Sequence, residues 1–434
     1  MGEPIKAAFL TLGCKVNQYE TDAMRELLEE AGYRIVDFKE PADVYIVNTC
    51  SVTNMADRKS RQMLHRAKKN NPEAVIVAAG CYVQAAEKEL EEKGIADVFI
   101  GNNKKKEIVP ILEAYFQEQG QKRIQVERLD LNRGREYETL EVSRTSGHTR
   151  AFIKVQDGCD QFCSYCIIPY ARGRARSRRQ EDVLAEVERL AKKGYQEVVL
   201  TGIHLSSYGK DTGDDLLSLI RCVHQVEGIR RIRLGSLEPG IITEEFARNL
   251  AELPKFCPHF HLSLQSGCDE TLRRMNRKYD TAQYYEKCQI LRRFFRDPAL
   301  TTDVIVGFPG ETEEEFQASF AFVDGVDFYE THIFKYSRRE GTKAAGMKDQ
   351  VPEPVKTRRS AALLKLGQKK REAYEERLVG TVQEVLMEEA VERDGQIYQV
   401  GHTKEYVKVG RKTTEDLSNQ FINVEIESRS QIIH

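Results

Sequence analysis

The sequence predicts an α/β protein in three parts: an N-terminal parallel-sheet α/β domain, a central partial (β/α) barrel of the TIM type, and a small C-terminal all-β barrel. Two observations predict this fold class. Short apolar runs alternate with amphipathic helical stretches in two successive segments. The last segment is rich in Val, Ile and Thr with turn signals between its runs. We place the domains at residues 1–140, 145–375 and 376–434.

The first segment alternates strands with helices, and a βαβ alternation favours a parallel sheet. A polar stretch from Arg133 to Arg150 predicts a linker to the next domain. The predicted strands are Ala7–Leu12, Val44–Asn48 and Val75–Ala79, and the predicted helices are Tyr19–Ala31, Arg58–Lys69 and Ala85–Lys93.

The central segment contains six βα units, which suits part of a barrel and falls short of the eight strands of a closed one. The predicted strands are Phe152–Gln156, Glu197–Thr201, Arg231–Leu234, His259–Leu264, Thr301–Val306 and Phe328–Phe334. The predicted helices are Gln180–Lys193, Asp215–Gln225, Glu244–Leu253, Thr281–Phe294 and Glu313–Val323.

Two prolines, Pro352 and Pro354, punctuate the chain before the last helix of the central domain. A long basic helix is predicted from Val355 to Leu378. The remaining stretch, Gly380–Ile433, predicts the small all-β module.

Composition indicates a cytoplasmic protein in a reducing compartment. No secretory signal precedes the first strand, and no apolar run approaches the roughly 20 residues that cross a bilayer. Ten cysteines in 434 residues are too few for a disulfide scaffold, so we expect thiols or metal ligands. The formal net charge of −2 gives no global sign of a polyanionic partner, which leaves local basic clusters to indicate one.

Three cysteines, Cys159, Cys163 and Cys166, follow the first predicted strand of the barrel with the spacing C-x3-C-x2-C. One loop can wrap three such thiolates around a 4Fe–4S cluster and leave one iron open to a small molecule. A structural zinc site is the alternative, but it needs a fourth Cys or His at recognisable spacing. None lies close by in the sequence.

A second triplet, Cys14, Cys50 and Cys81, is dispersed in sequence, but each cysteine directly follows a predicted strand. The carboxyl ends of parallel strands share one sheet edge, so these thiols can converge there on a second cluster. The alternative is that they are ordinary buried cysteines. The other four cysteines show no metal-ligand spacing and favour core or surface positions: Cys222, Cys257, Cys268 and Cys288.

The two triplets in this order, with the segments Leu12–Gln18 and Asn48–Thr53, resemble the radical S-adenosylmethionine (SAM) methylthiotransferases over nearly the whole chain. The resemblance implies two 4Fe–4S clusters, two SAM molecules and a C-terminal barrel of the TRAM type. One SAM methylates a sulfur on the auxiliary cluster at Cys14, Cys50 and Cys81. The other is cleaved at the catalytic cluster of Cys159, Cys163 and Cys166, and its radical abstracts a hydrogen from the carbon that receives the methylthio group.

Three substrates are familiar in this family, and Gly13–Gln18 has the form typical of the branch that acts on threonylcarbamoyladenosine. We therefore expect methylthiolation at C2 of this nucleoside, immediately 3′ of the tRNA anticodon. The alternatives within the family are isopentenyladenosine in tRNA and an aspartate of a ribosomal protein.

Several loop residues at predicted strand ends are candidate SAM contacts. Ser236 and Glu238 follow the third barrel strand, and Gln265 follows the fourth. The segment Gly307–Thr312, with Gly307 and Pro309, resembles the part of the superfamily that binds the SAM adenine. The Gly-Gly-Glu motif of many radical SAM enzymes is replaced by Thr201-Gly202-Ile203-His204, which leaves the residue that holds the SAM amino group open.

An arginine-rich segment directly follows the C-x3-C-x2-C loop. Arginine pairs with phosphate through a forked geometry, so we predict tRNA contacts here. The predicted RNA-binding residues are Arg172, Arg174, Arg176, Arg178 and Arg179. The family resemblance further implies an electron donor such as flavodoxin or ferredoxin, a sulfur source, and no membrane.

Two other classes of protein remain as rival interpretations. An iron–sulfur redox carrier would need the clusters but no SAM pocket, which Gly307–Thr312 argues against. An RNA-binding regulator would use only Gly380–His434 and would leave both cysteine triplets unexplained.

Overall fold

The computed structural model describes residues 3–118, 124–125, 136–145 and 149–434. These residues form a six-stranded sheet, a partial barrel and a small antiparallel sheet, in chain order. Within these ranges, every helix is too short or too polar to span a lipid bilayer.

The N-terminal sheet is entirely parallel. Its strands are β1 (Lys6–Thr11), β2 (Arg34–Val36), β3 (Val44–Thr49), β4 (Val75–Gly80), β5 (Val98–Ile100) and β6 (Ile124–Gln125). They lie in the order β2-β1-β3-β4-β5-β6. The helices between them are α1 (Lys15–Glu30), α2 (Asn54–Asn70), α3 (Cys81–Lys93) and α4 (Ile108–Gln117).

Strands β3 and β4 are buried at every position because helices cover both faces of this sheet. Tyr45 shares an apolar cluster with Met63 of α2 on one face. Its neighbour Ile46 shares a second cluster with Met24 of α1 on the opposite face. Burial on two sides is the physical cause of the continuous apolar runs that predicted these strands.

The central part is a curved sheet of six parallel strands with a short antiparallel strand, β8, at its edge. The strands are β7 (Arg150–Asp157), β8 (Arg176–Ser177), β9 (Glu197–Gly202), β10 (Arg231–Leu234), β11 (His259–His261), β12 (Ala299–Val306) and β13 (Glu330–Lys335). Parallel bridges Ile232–Phe256 and Leu237–Leu262 join the β10 and β11 edges. The predicted α/β class with a partial barrel is confirmed.

Eight helices follow these strands. They are α5 (Ile168–Arg172), α6 (Gln180–Lys192), α7 (Leu216–Gln225), α8 (Glu244–Ala251), α9 (Asp269–Arg274), α10 (Thr281–Phe294), α11 (Glu313–Val326) and α12 (Glu353–Glu376). Alternate strand residues such as Ile153, Leu200 and Val304 pack in the apolar cluster beneath these helices. The intervening residues line the concave face, which we call the lumen.

The C-terminal module is antiparallel and nearly closed. Its strands are β14 (Val382–Arg393), β15 (Gln396–His402), β16 (Lys408–Lys412) and β17 (Phe421–Glu425), in the order β16-β15-β14-β17. A bridge between Val409 and Ile432 brings the last residues back beside β16. The guanidinium groups of Arg231 and Arg233 donate to the carbonyls of His402, Thr403 and Lys404, which docks the module on the barrel.

The structure corrects several predicted bounds. Helix α1 begins at Lys15 and not at Tyr19, and α3 begins at Cys81 and not at Ala85. Polar residues in the first turn of α1 hide its apolar periodicity, whereas α3 begins with the buried Cys81, Tyr82 and Val83, which continue the apolar run of β4. The predicted linker lies partly outside the described residues, and the three domain boundaries stay predictions.

Candidate functional site

The dispersed cysteines converge at the carboxyl edge of the N-terminal sheet. Cys14 lies between β1 and α1, Cys50 follows β3, and Cys81 begins α3 directly after β4. A Cβ placed on Gly13 would lie 2.9 Å from Cys50 Sγ, which shows how closely the first two loops approach. Gly13 and Gly80 have φ of 103° and 94°, a region that favours glycine.

Asn17 holds these loops together, although no sequence pattern pointed to it. Its Nδ2 donates to the carbonyl oxygens of Leu12 at 2.7 Å and Thr49 at 3.0 Å. Asn48 Nδ2 in turn donates to the carbonyl of Asn17 at 2.9 Å. This amide network satisfies the backbone groups of two turns and fixes the positions of Cys14 and Cys50.

The three thiols also influence one another electrostatically. Burial raises the pKa of Cys50 to about 11, and the neighbouring Cys81 and Cys14 thiols contribute to that rise. Burial likewise raises the pKa of Cys14, and Arg172 opposes that rise. A thiolate at this site therefore needs positive charge beside it, either from a metal centre or from Arg172.

Arg172 connects this site to the barrel. Its Nε donates to Cys81 Sγ at 3.2 Å, and its Nη2 donates to Asn17 Oδ1 at 2.7 Å. Its Nη1 donates to Glu20 Oε1 at 2.9 Å and to Asp157 Oδ1 at 3.0 Å. One fully buried guanidinium thus contacts a cysteine of the sheet edge and the last residue of β7.

The charges around Arg172 form a closed network. Glu20 also pairs with Lys105 and with Lys154, whose Nζ lies 2.8 Å from Glu20 Oε1. Burial opposes ionisation of Glu20, but Arg172, Lys105 and Lys154 outweigh it and hold its pKa well below the usual range. A second contact between the two parts joins Arg339 to Asp57 and to Ser51 Oγ at 2.7 Å.

The C-x3-C-x2-C loop lies at the carboxyl end of β7, as its position in the sequence predicted. Phe162 within it has φ of 48°, a turn that bends the loop between Cys159 and Cys163. Burial raises the pKa of Cys159 to about 11 and that of Cys166 to about 12, and Cys163 adds to both shifts. The three thiols are therefore close neighbours.

Arg277 and His204 extend this loop into a polar network that no sequence pattern indicated. Arg277 Nη1 donates to Cys163 Sγ at 3.2 Å, and its Nη2 lies 3.6 Å from Glu238 Oε1. Glu238 Oε2 lies 3.2 Å from His204 Nε2 and accepts from Gln161 Nε2 at 3.0 Å. His204 is thus beside Glu238, in the segment that replaces Gly-Gly-Glu.

The other candidate SAM contacts have varied surroundings. Ser236 is exposed and Gln265 is buried with φ of 70°. Pro309 is buried, and so is Gly307, but a Cβ on Gly307 would lie 2.3 Å from Lys356 Cγ. The close approach that needs glycine at 307 is therefore made by Lys356 of α12.

The five arginines that were predicted to bind RNA differ in their exposure to solvent. Arg172, Arg176 and Arg178 are 0%, 0% and 1% exposed, because they pair with buried carboxylates. Arg178, for example, pairs with Glu186 of α6. Only Arg174 and Arg179 of this segment reach the surface.

The lumen is polar and rich in cations. Arg150 and Phe152 of β7, Glu197 of β9 and Arg233 of β10 occupy alternate positions that face it. Lys15 projects towards them from the start of α1, with Nζ 6.0 Å from the centroid of the Phe152 ring. Surrounding protein lowers the pKa of Lys15 to about 8, and Arg150 and Arg233 contribute to that shift.

The distances between the Sγ atoms of a triplet indicate whether the three cysteines are spaced for a single metal ion. A single zinc ion with Zn–S bonds of about 2.3 Å would hold sulfurs about 3.8 Å apart. In the described part of the chain, which includes all six cysteines, the one group of three ligand atoms within 4.8 Å of one another is His261, Asp303 and His332. In neither cysteine triplet do all three Sγ atoms lie within 4.8 Å of one another, so neither is spaced for a single zinc ion.

Two family models match the chain. The model of the radical SAM superfamily matches residues 153–323, and that of the uncharacterized protein family UPF0004 matches residues 6–101. The first covers the barrel with the C-x3-C-x2-C loop, and the second covers the sheet with the dispersed cysteines. Membership of the radical SAM superfamily implies SAM and a 4Fe–4S cluster.

Named relatives cover nearly the whole chain. The threonylcarbamoyladenosine tRNA methylthiotransferase MtaB of Bacillus subtilis is 42% identical over 96% of this chain and 93% of its own. The protein of that name from Thermotoga maritima is 37% identical over 97% and 94%. A tRNA-2-methylthio-N(6)-dimethylallyladenosine synthase of Clostridium botulinum is 34% identical over 96% and 93%.

Solved structures share the fold. The radical S-adenosylmethionine methyltransferase TsrM from Kitasatospora setae superposes with a TM-score of 0.56 at 16% identity, covering 79% of this chain and 77% of that one. The cobalamin-dependent radical enzyme OxsB superposes with a TM-score of 0.51 at 10% identity, covering 85% and 56%. The full-length relatives of 34–42% identity show that the chain belongs to the radical SAM methylthiotransferase family.

Proposed function

We propose that this enzyme adds a methylthio group to C2 of threonylcarbamoyladenosine, immediately 3′ of the anticodon in tRNA. The observation that carries the proposal is that two cysteine triplets, neither spaced for a single zinc ion, are connected through one buried arginine, Arg172. A methylthio transfer needs both a radical source and a sulfur carrier, and two such sites meet that need.

Cys159, Cys163 and Cys166 would hold the catalytic 4Fe–4S cluster, and Cys14, Cys50 and Cys81 would hold the auxiliary one. A reduced cluster and SAM supply, when bound, a carbon-centred radical that can remove a hydrogen atom. Arginine residues of the chain set the charge beside the cysteines of both sites. Arg277 supplies positive charge beside Cys163, and Arg172 does so beside Cys81.

The SAM-binding residues in this proposal are Ser236, Glu238, Gln265, Gly307 and Pro309. Glu238 is the most strongly supported of these, because it contacts Gln161 in the cysteine loop and pairs with Arg277. Burial opposes ionisation of Glu238, but His204 and Arg277 outweigh it and lower its pKa, so Glu238 is an anion that can hold the SAM ammonium. Gly307 would contribute through its backbone, since Lys356 occupies its α-carbon side.

The names of the relatives and the exposed basic residues of the chain support the proposal of a tRNA substrate. Four relatives of 36–42% identity carry the threonylcarbamoyladenosine name, and they are joined by others that act on dimethylallyladenosine. The antiparallel C-terminal module, which we take to be of the TRAM type, would bind tRNA together with Arg174 and Arg179. Catalysis would further need an electron donor such as flavodoxin or ferredoxin and a sulfur source, all in the cytoplasm.

Nucleoside mass spectrometry of tRNA from cells with and without the gene tests this function. We expect loss of 2-methylthio-threonylcarbamoyladenosine and accumulation of its unthiolated precursor. Restoring the gene should restore the product, whereas a copy with Cys50→Ala should not. An unchanged level of this nucleoside, with loss of 2-methylthio-isopentenyladenosine instead, would contradict the proposed substrate. It would still be consistent with a methylthiolation reaction.

A further inference from the structure

Lys15 is a cation in the lumen without a counter-ion. It directly follows Cys14, and its side chain is solvent-accessible. No carboxylate of the described residues lies within the 4.0 Å of an ion pair with its Nζ. Its nearest characterised contact is the ring face of Phe152.

Two acids are already neutralised by other cations: Glu197, whose charge acts on Lys15, and Glu388, which pairs with Arg150. Glu197 accepts from Arg233 Nε at 3.0 Å and lies 3.8 Å from Arg231. Glu388 lies 3.2 Å from Arg150 and 2.7 Å from His402. This end of the lumen therefore carries an excess of positive charge, to which Arg150 and Arg233 add their own electrostatic field around Lys15.

Such a cavity selects for an anion. The threonylcarbamoyl group ends in a free carboxylate, whereas the isopentenyl group carries no charge. Because consecutive Cα atoms are about 3.8 Å apart, a base presented to the sulfur carrier at Cys14 is within reach of the side chain of Lys15. An isopentenyl group would displace water from the Lys15 ammonium without supplying a partner, which costs free energy.

We propose that Lys15 determines substrate specificity by binding the threonyl carboxylate of the target nucleoside within the lumen. This inference rests on the proposed function. A phosphate of the RNA backbone is the other anion that Lys15 could pair with, and the experiment separates the two sources.

The test uses the reconstituted holoenzyme and an anticodon stem-loop carrying threonylcarbamoyladenosine, either as the free acid or as its methyl ester. The wild-type enzyme should prefer the acid by about 10- to 100-fold in kcat/KM, the range for a hydrogen bond to a charged group. Lys15→Gln should lose this preference, because its kcat/KM should fall for the acid and not for the ester. Lys15→Arg should keep most of the preference. Equilibrium binding without reductant should show the same loss of preference.

Lys39→Gln is the matched control. Lys39 is an exposed lysine beyond β2, remote from the lumen, and its removal should leave the preference unchanged. Iron content and SAM cleavage are measured for every variant, so that a damaged cluster is recognised.

Three outcomes have distinct meanings. Loss of preference in Lys15→Gln with intact iron content supports the inference. Equal losses on acid and ester would assign Lys15 to an RNA phosphate or to structure and would overturn the inference alone. A wild-type enzyme that modifies neither stem-loop would overturn the proposed function and this inference together.

Discussion

Arg172 Nε lies 3.2 Å from Cys81 Sγ, although Arg172 ends helix α5 of the barrel and Cys81 begins helix α3 of the N-terminal part. The same guanidinium pairs with Asp157 at the end of β7, two residues before Cys159. The two candidate cluster sites are therefore held in a fixed relationship by one side chain. This relationship requires Arg172 to be charged, buried and fully hydrogen-bonded.

Replacing Arg172 with methionine should destabilise the protein by about 3–5 kcal/mol, because Glu20 and Asp157 would lose a buried partner. Thermal unfolding of the holoenzyme measures the loss. Arg174→Met is the matched control, since Arg174 is exposed and its ion pair with Asp160 is worth about 1 kcal/mol or less. Equal stability of the two variants would show that the buried network contributes nothing.

Cys163→Ala should abolish SAM cleavage, because the catalytic cluster would lose one of its three thiolates. Formation of 5′-deoxyadenosine by the reduced enzyme is the measurement. Cys288→Ala provides the control, since Cys288 is buried among apolar residues of the barrel core. Persistent 5′-deoxyadenosine formation by Cys163→Ala would remove this residue from the catalytic site.

Cys50→Ala should leave SAM cleavage intact and prevent methylthio transfer, because the auxiliary site lies on a separate sheet edge. Iron content should fall by about half, as expected when one of two clusters of equal size is lost. Product formation is followed by mass spectrometry of the stem-loop. A normal product yield would contradict the assignment of Cys50 to the auxiliary site.

Replacing Arg174 and Arg179 together with glutamine should weaken tRNA binding and reduce its salt dependence. Removing one contact to a phosphate lowers the slope of log K against log salt by about 0.7–0.9. Binding titrations at several salt concentrations measure this slope, and Lys39→Gln again serves as the control. An unchanged slope would exclude these two arginines from the RNA interface.

Stability should rise between pH 5 and pH 7 because of His259. Burial, with Arg233 and Lys15 nearby, lowers its pKa well below the usual value. The unfolded chain then binds a proton below about pH 6.5 that folded His259 does not, so acid favours unfolding by up to about 1.4 kcal/mol per pH unit. His259→Asn should flatten this dependence in thermal unfolding, and an equal slope in both proteins would refute it.

Local sequence patterns predicted the architecture well, and they predicted the positions of the two cysteine triplets after strands. Strand β10, Arg231–Leu234, and helix α10, Thr281–Phe294, have the predicted bounds. The cysteines were accessible to prediction because each follows an apolar strand, and parallel strands share an edge. An apolar strand followed by a cysteine is a property of a short segment, and the parallel order of the strands then brings the cysteines to one edge.

The burial of three arginines in the segment after the C-x3-C-x2-C loop was not predicted, because sequence shows charge but not burial. Arg176 in β8 and Arg178 just after β8 are both buried, and they pair with Asp157 and Glu186 of other segments. The Arg277–Cys163 contact was missed for the same reason, since more than a hundred residues separate the partners. Pairings of this kind depend on tertiary packing, and no periodic pattern in the local sequence indicates them.

The two cysteine triplets differ in what must happen before a metal centre can assemble. An eight-residue loop carries Cys159, Cys163 and Cys166, so a largely unstructured chain can already chelate iron there. Cys14, Cys50 and Cys81 become neighbours only after β1, β3 and β4 have paired in register. Maturation therefore has an inherent order, in which the N-terminal sheet must fold before its cofactor can be inserted. A chain that misfolds in this sheet should still acquire one cluster, and iron counting on partially folded variants would reveal that intermediate.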